Sequence, residues 1–187
     1  LYNSPEYAET NFAAMKIGGV PINVNYRYLD EELHYLLENA DIEALVFHSS
    51  LGDRVARVCD RLPMLKAMIC VDDGPAEDGS MGPANGIPYD TFLSQASGAA
   101  KTQPKGDEIY MLYTGGTTGM PKGVMYPLDG FSEFFMRGFP PMIGLDPFEN
   151  ADRFAPAAKQ MVDANSAVVA MSGPPLMHGT GCWLGLM

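Results

Sequence analysis

Residues 113–124 read Tyr-Thr-Gly-Gly-Thr-Thr-Gly-Met-Pro-Lys-Gly-Val, which sets four glycines, three threonines and a lysine almost side by side. Glycine lets backbone N–H groups turn toward one centre with no Cβ in the way. A concave set of such donors binds anions. The threonine hydroxyls add donors, Lys122 adds a positive charge, and Pro121 stiffens the exit. Hydrogen bonds to a charged acceptor contribute about 1.5–3 kcal/mol each. Three or four would hold a polyphosphate even on a chain of formal charge −11. The P-loop pattern places glycine directly before its lysine, whereas here Pro121 precedes Lys122 and Gly123 follows it. The dinucleotide pattern GxGxxG fails on spacing, and a strand, not a helix, is expected after the loop. A glycine-rich hairpin turn accounts for one or two of the glycines. It does not account for three threonines and a Pro-Lys pair, so the stretch reads as a phosphate cradle.

The elements that must hold this loop are legible on either side. Of the 187 residues, 47% are hydrophobic and 19% charged, a globular composition with material for one substantial core. Ser4-Pro5-Glu6 starts a helix carrying Tyr7, Ala8, Phe12 and Met15, which Gly18-Gly19 stop. A strand is expected over 20–24. Asp30-Glu31-Glu32 opens a second helix with Leu33, Leu36, Leu37 and Ala40 inward. Residues 44–47 and 67–71 are short apolar runs of the kind covered on both faces. Between them Asp53 begins a helix with Val55, Val58 and Leu62 on one side. Helices alternating with such strands predict an α/β fold, a largely parallel β-sheet with flanking helices. Residues 1–71 form the βαβ-type unit. Residues 72–88, rich in acid, glycine and proline, form an exposed loop. Residues 89–187 continue the same domain, with a short helix at 89–96 and a strand at 109–113 leading into the loop. The strand 124–126 leaves it, and a helix from Asp129 carries Phe131, Phe134 and Phe135 as core. Irregular chain follows over 138–150, then a helix at 156–164 and a buried strand at 167–171.

The net acidity argues against nucleic acid as a partner. No apolar run approaches the roughly 20 residues of a membrane-spanning helix, and no secretory leader is visible. Cys59, Cys70 and Cys182 are odd in number, far apart and match no zinc spacing, as expected of buried or half-buried thiols in a reducing, cytoplasmic setting. His34 and His48 read as structural. The chain opens without methionine and stops in an apolar stretch, as expected of a piece of a longer protein.

Thr114 to Gly123 resembles the phosphate-binding signature of the adenylate-forming superfamily, which includes acyl-CoA synthetases, luciferases and peptide-synthetase adenylation domains. Three further stretches agree. Gly18 to Tyr26 resembles an upstream Gly-Ala-Val-x-x-Pro-x-Asn segment, and Asn39 to Phe47 resembles the segment between. Pro175-Leu-Met-His178-x-x-Gly181 is similar to a downstream Pro-Leu-Phe-His-x-x-Gly motif, with Met177 where phenylalanine is usual. The wording of residues 23–28 most resembles synthetases for fatty or steroid side-chain acids. The resemblance implies part of the large N-terminal domain of an AMP-forming acyl-CoA ligase. It implies that Thr114, Gly115, Gly116, Thr117, Thr118, Gly119 and Lys122 hold the β- and γ-phosphates of ATP. It places His178 beside the acyl pocket, so Lys122 and His178 are the candidate catalytic residues. Trp183 either borders the acyl tunnel or sits in a buried helix. Coenzyme A is the implied acceptor, and a small carboxylic acid the implied substrate. The family's aromatic-x-Thr-Glu segment does not occur after the histidine motif before Met187. By resemblance, the adenine and ribose contacts, the Mg2+ ligand and a C-terminal catalytic lysine then lie outside this chain, which alone is expected to be inactive. The alternatives are a carrier-protein adenylation domain, a luciferase-like enzyme, or a non-catalytic nucleotide-binding module.

Overall fold

The computed structural model describes residues 1–74, 82–83, 85–98, 105–116, 119–169, 171 and 173–186. Helix α1 (Pro5–Lys16) starts where the Ser4 hydroxyl oxygen accepts the Tyr7 N–H. It stops at Gly18, whose φ of 74° suits glycine, and the Gly19 N–H returns to the Ala14 carbonyl at 2.8 Å. After strand β1 (Ile22–Asn23), helix α2 (Asp30–Asn39) places three acids in its first turn, where the helix dipole favours them. Its buried stripe is Leu33, Leu36 and Leu37.

Strand β2 (Ala44–His48), helix α3 (Gly52–Cys59) and strand β3 (Ala67–Val71) form a βαβ unit, paired in parallel from Ala44 opposite Ala67 to His48 opposite Val71. Strand β4 (Ile87–Pro88) adds to β3 in parallel, so the end of the segment expected to be loop is strand. Helix α4 (Tyr89–Ser94) follows. Strands β5 (Ile109–Gly116) and β6 (Gly119–Pro127) are antiparallel, and β1 lies beside β5 in parallel, Ile22 opposite Met111. The strands expected near 20, 44 and 67 therefore do not share one sheet. The two-residue β1 belongs to a sheet β1-β5-β6, and the other sheet is β2-β3-β4. Among the described residues three of the four pairings are parallel, which is the α/β arrangement expected.

Helix α5 (Leu128–Glu133) runs into a π-helical turn at Phe134–Gly138 and then helix α6 (Phe139–Met142). Helix α6 replaces part of the irregular chain expected over 138–150. Helix α7 (Phe154–Asp163) is close to expectation. The strand expected at 167–171 is not found among the described residues: 166–169 and 171 have no regular structure, and Val169 and Met171 are 96% and 93% exposed. An apolar run becomes a buried strand only when a neighbouring backbone takes up its N–H and C=O groups, and no described strand lies alongside. Helix α8 (Gly179–Leu186) ends the described chain.

One core gathers Leu33, Leu36, Leu37, Leu45, Phe47, Val55, Val58, Leu62 and Met68 between α2, α3 and the β2-β3-β4 sheet. A second joins Tyr7, Tyr110, Leu112 and Cys182. Strand β5 serves both, since Tyr113 packs against the first core while Tyr110 and Leu112 belong to the second.

Candidate nucleotide-binding site

The glycine- and threonine-rich stretch is the tip of the β5–β6 hairpin. Strand pairing runs further into it than the sequence predicts, with Tyr113 opposite Gly123, Thr114 opposite Lys122 and Gly116 opposite Gly119. The plain hairpin is thus real, and it coexists with features no hairpin needs. The register shifts between Thr114 and Gly116, a bulge that breaks the ladder at the glycines. Thr117 and Thr118 lie outside the described residues.

The glycines of the tip differ in why they are glycine. A Cβ on Gly123 would come within 3.0 Å of the Met111 sulfur and 3.1 Å of the Tyr113 ring, so this glycine makes room for packing. A Cβ on Gly115 or Gly119 would meet nothing within 4 Å, and neither residue has a positive φ. Among the described residues, neither packing nor backbone conformation requires glycine at these two positions.

Residues opposite each other in an antiparallel pair share a face of the sheet. One face therefore carries Tyr110, Leu112 and Thr114 on β5 with Tyr126, Val124 and Lys122 on β6. Its root is covered: Tyr110 and Leu112 are buried with Cys182 of α8, and Trp183 packs edge-on to Tyr126 and Phe131, each at 5.1 Å. Its tip is open, and Thr114 and Lys122 are both exposed. Lys122 makes no ion pair with any described residue. The hairpin is anchored on its other face by Tyr113, whose hydroxyl donates to Asn39 Oδ1 at 2.7 Å. Burial, with Tyr35 and Asp41 nearby, holds the Tyr113 hydroxyl above its ordinary pKa, so it remains a donor.

His178 is exposed and sits in the turn before α8, its N–H donating to the Pro175 carbonyl at 3.0 Å and its carbonyl accepting from the Cys182 N–H at 2.9 Å. The next residue, Gly179, abuts β5: a Cβ there would stand 2.8 Å from Leu112 Cδ2. Leu112 precedes Thr114 by two positions, about 7 Å along a strand. The turn bearing His178 thus lies against the hairpin on the face that Thr114 and Lys122 share. His34 lies 3.9 Å from Glu38 on α2, and His48 is buried with its Nδ1 accepting the Tyr2 N–H, so both fill structural positions. Phe131 and Phe135 pack on one another at 5.0 Å, whereas Phe134, expected in the core with them, is 53% exposed.

The sequence reading missed the buried polar groups behind this face. Asn23, 4% exposed, donates from Nδ2 to the carbonyls of Leu176 and Met177 at 3.4 and 3.3 Å, and its Oδ1 accepts the Tyr110 hydroxyl at 2.9 Å. The Tyr7 hydroxyl donates to the Leu176 carbonyl at 2.8 Å. Burial raises the Tyr7 and Tyr110 pKa values far above the ordinary phenol range, so both stay protonated donors. The signal available in the sequence was Asn23 itself, an amide between Ile22 and Val24 in a short strand.

A family model described as "AMP-binding enzyme" matches residues 1–186. The chain is 36% identical over 182 residues to a 3-oxocholest-4-en-26-oate–CoA ligase of Rhodococcus rhodochrous, covering 97% of this chain and 32% of that protein. It is 37% identical over 176 residues to a medium/long-chain-fatty-acid–CoA/3-oxocholest-4-en-26-oate–CoA ligase of Mycolicibacterium smegmatis, covering 92% of this chain and 31% of that protein. Among solved structures, a putative long-chain-fatty-acid CoA ligase from Rhodopseudomonas palustris superimposes with a TM-score of 0.65 at 20% identity, over 99% of this chain and 40% of the other. A red-emitting luciferase from Phrixothrix hirtus gives 0.66 at 18%, over 99% and 32%. At those identities the two structures show a shared fold alone. The chain belongs to the AMP-binding enzyme family, and it spans about a third of the length of the curated relatives it matches.

Proposed function

We propose that this chain is the phosphate-binding part of an ATP-dependent, AMP-forming acid–CoA ligase acting on a hydrophobic carboxylic acid. The observation that carries the reading is the hairpin tip: two glycines for which the described residues show no packing or conformational need, beside an exposed threonine and an exposed lysine on one face, the lysine with no ion pair among the described residues. Such a tip fits the tail of a triphosphate. Thr114, Gly115, Gly116, Thr117, Thr118, Gly119 and Lys122 would hold the β- and γ-phosphates. In the first step a carboxylate oxygen of the acid attacks the α-phosphorus and the bond to pyrophosphate breaks. Lys122 and the tip amides take up the charge that gathers on the leaving pyrophosphate. His178, exposed on the turn packed against the same face, would hold the acid's carboxylate in line. In the second step the thiol of coenzyme A attacks the acyl carbon and AMP leaves.

Magnesium neutralises triphosphate charge when bound. Its protein ligands are proposed to lie outside this chain, as the family resemblance implies. No helix among the described residues is long and apolar enough to cross a membrane. A cytoplasmic setting rests on the odd number of cysteines. Coenzyme A is favoured as acceptor because the relatives aligned over 92–97% of this chain are named as CoA ligases.

Pyrophosphate release by the full-length protein tests the proposal, with ATP, magnesium and a panel of straight-chain and sterol side-chain acids. The expected result is acid-dependent release and an acyl thioester trapped on coenzyme A. Nucleotide binding with no release for any acid would instead mark a non-catalytic nucleotide-binding module.

A further inference from the structure

The turn that carries His178 has little regular structure of its own before α8, yet its backbone is captured from three directions. The Leu176 N–H donates to Asn3 Oδ1 at 2.9 Å. The Leu176 carbonyl accepts from the Tyr7 hydroxyl and from Asn23 Nδ2, and the Met177 carbonyl accepts from Asn23 Nδ2 as well. The Asn23 amide can face only one way. Carbonyl oxygens accept and never donate, so Nδ2 must point at residues 176 and 177. Its Oδ1 is then left for a donor, and the Tyr110 hydroxyl supplies one. Cys182 Sγ, 3.4 Å from that hydroxyl, closes the group from the α8 side.

We propose that Asn23 is a positioning residue, its amide oriented by the Tyr110 hydroxyl so that it locks the Leu176–His178 turn in register with the β5–β6 hairpin. Asn23 stands on β1 opposite Leu112, Tyr110 stands on β5, and β5 runs on to Thr114. One side chain thus joins the strand leading to the phosphate tip with the turn presenting the histidine. The inference rests on the proposed ligase reading for its kinetic consequence. It predicts which substrate suffers: the acid, through displacement of His178, and not ATP, whose tail is held by the tip beyond Thr114.

Two variants of the full-length protein test it. Asn23→Asp keeps the volume but sets an oxygen against the carbonyls of residues 176 and 177. Tyr110→Phe removes only the hydroxyl and serves where Asn23→Asp fails to fold. Amide hydrogen exchange at His178 and Cys182 is expected to rise about tenfold in either variant, the scale of one lost hydrogen bond. The KM for the panel acid turned over fastest is expected to rise by about as much, while that for ATP stays within about twofold. Exchange unchanged from the starting protein would overturn the positioning role. So would acid and ATP KM values that rise together, the behaviour of general loosening. If the starting protein releases no pyrophosphate, the ligase reading fails on its own, and the exchange comparison still decides whether Asn23 holds the turn.

Discussion

Gly181 shows how tightly one residue can be specified. A Cβ there would fall on the Pro175 carbonyl oxygen and lie 2.5 Å from that of Pro174, both backbone atoms that cannot rotate away. Gly181→Ala is therefore expected to destabilise the protein by at least about 1–3 kcal/mol, the usual cost of overpacking, read as a lowered thermal midpoint. Gly115→Ala makes the opposite prediction. With open space where its Cβ would stand, it should change stability by less than about 0.5 kcal/mol. Under the proposed function it should nonetheless weaken ATP binding, because the methyl would intrude on the proposed phosphate path. A stability loss with ATP affinity intact would mean that Gly115 serves packing. At this scale the sequence suggested an anion site at the tip, because glycine, threonine and lysine at close spacing have few uses besides an anion. Asn23 and Tyr110 were not legible, because their importance lies in partners 87 and up to 154 positions away.

Among the elements, α2 and α3 were readable from periodicity, since Leu33, Leu36 and Leu37, and Val55 and Val58, recur at helical spacing and are all buried. Leu36 is fully buried, and Leu36→Ala should cost about 2–5 kcal/mol, measurable by denaturant unfolding. The apolar run at 167–171 misled for a physical reason: composition gives strand preference, and pairing needs a neighbouring backbone. Strand β2 ends in His48, 4% exposed, whose pKa burial holds below the ordinary 6.5 against the opposing pull of Asp73. The folded state therefore prefers the neutral imidazole, while the unfolded chain takes up the proton first. The His48 contribution to stability is full above about pH 6.5 and falls as the solution is acidified below it. His48→Asn, which keeps an acceptor for the Tyr2 N–H, should flatten the dependence of thermal midpoint on pH in that window. An unchanged slope would assign the dependence to other groups.

Across the whole molecule, two cores meet along β5, and this arrangement gives the hairpin a fixed root and a free tip. Tyr113 ties one face to α2, Tyr110 and Leu112 tie the other to α1 and α8, and Thr114 and Lys122 stand clear of both. The sequence predicted an α/β chain but not its division into two sheets, because β1 is two residues long and its partner lies nearly ninety positions on. If the tip grips the β- and γ-phosphates as proposed, Lys122 should matter to ATP and not to AMP. Calorimetric titration of the full-length protein and its Lys122→Ala variant with ATP and with AMP tests it most directly, since AMP lacks both phosphates. Loss of a charge-assisted bond should weaken ATP binding by about 10- to 100-fold and leave AMP binding unchanged. Equal ATP affinity in the two proteins, or an equal loss for ATP and AMP, would contradict it.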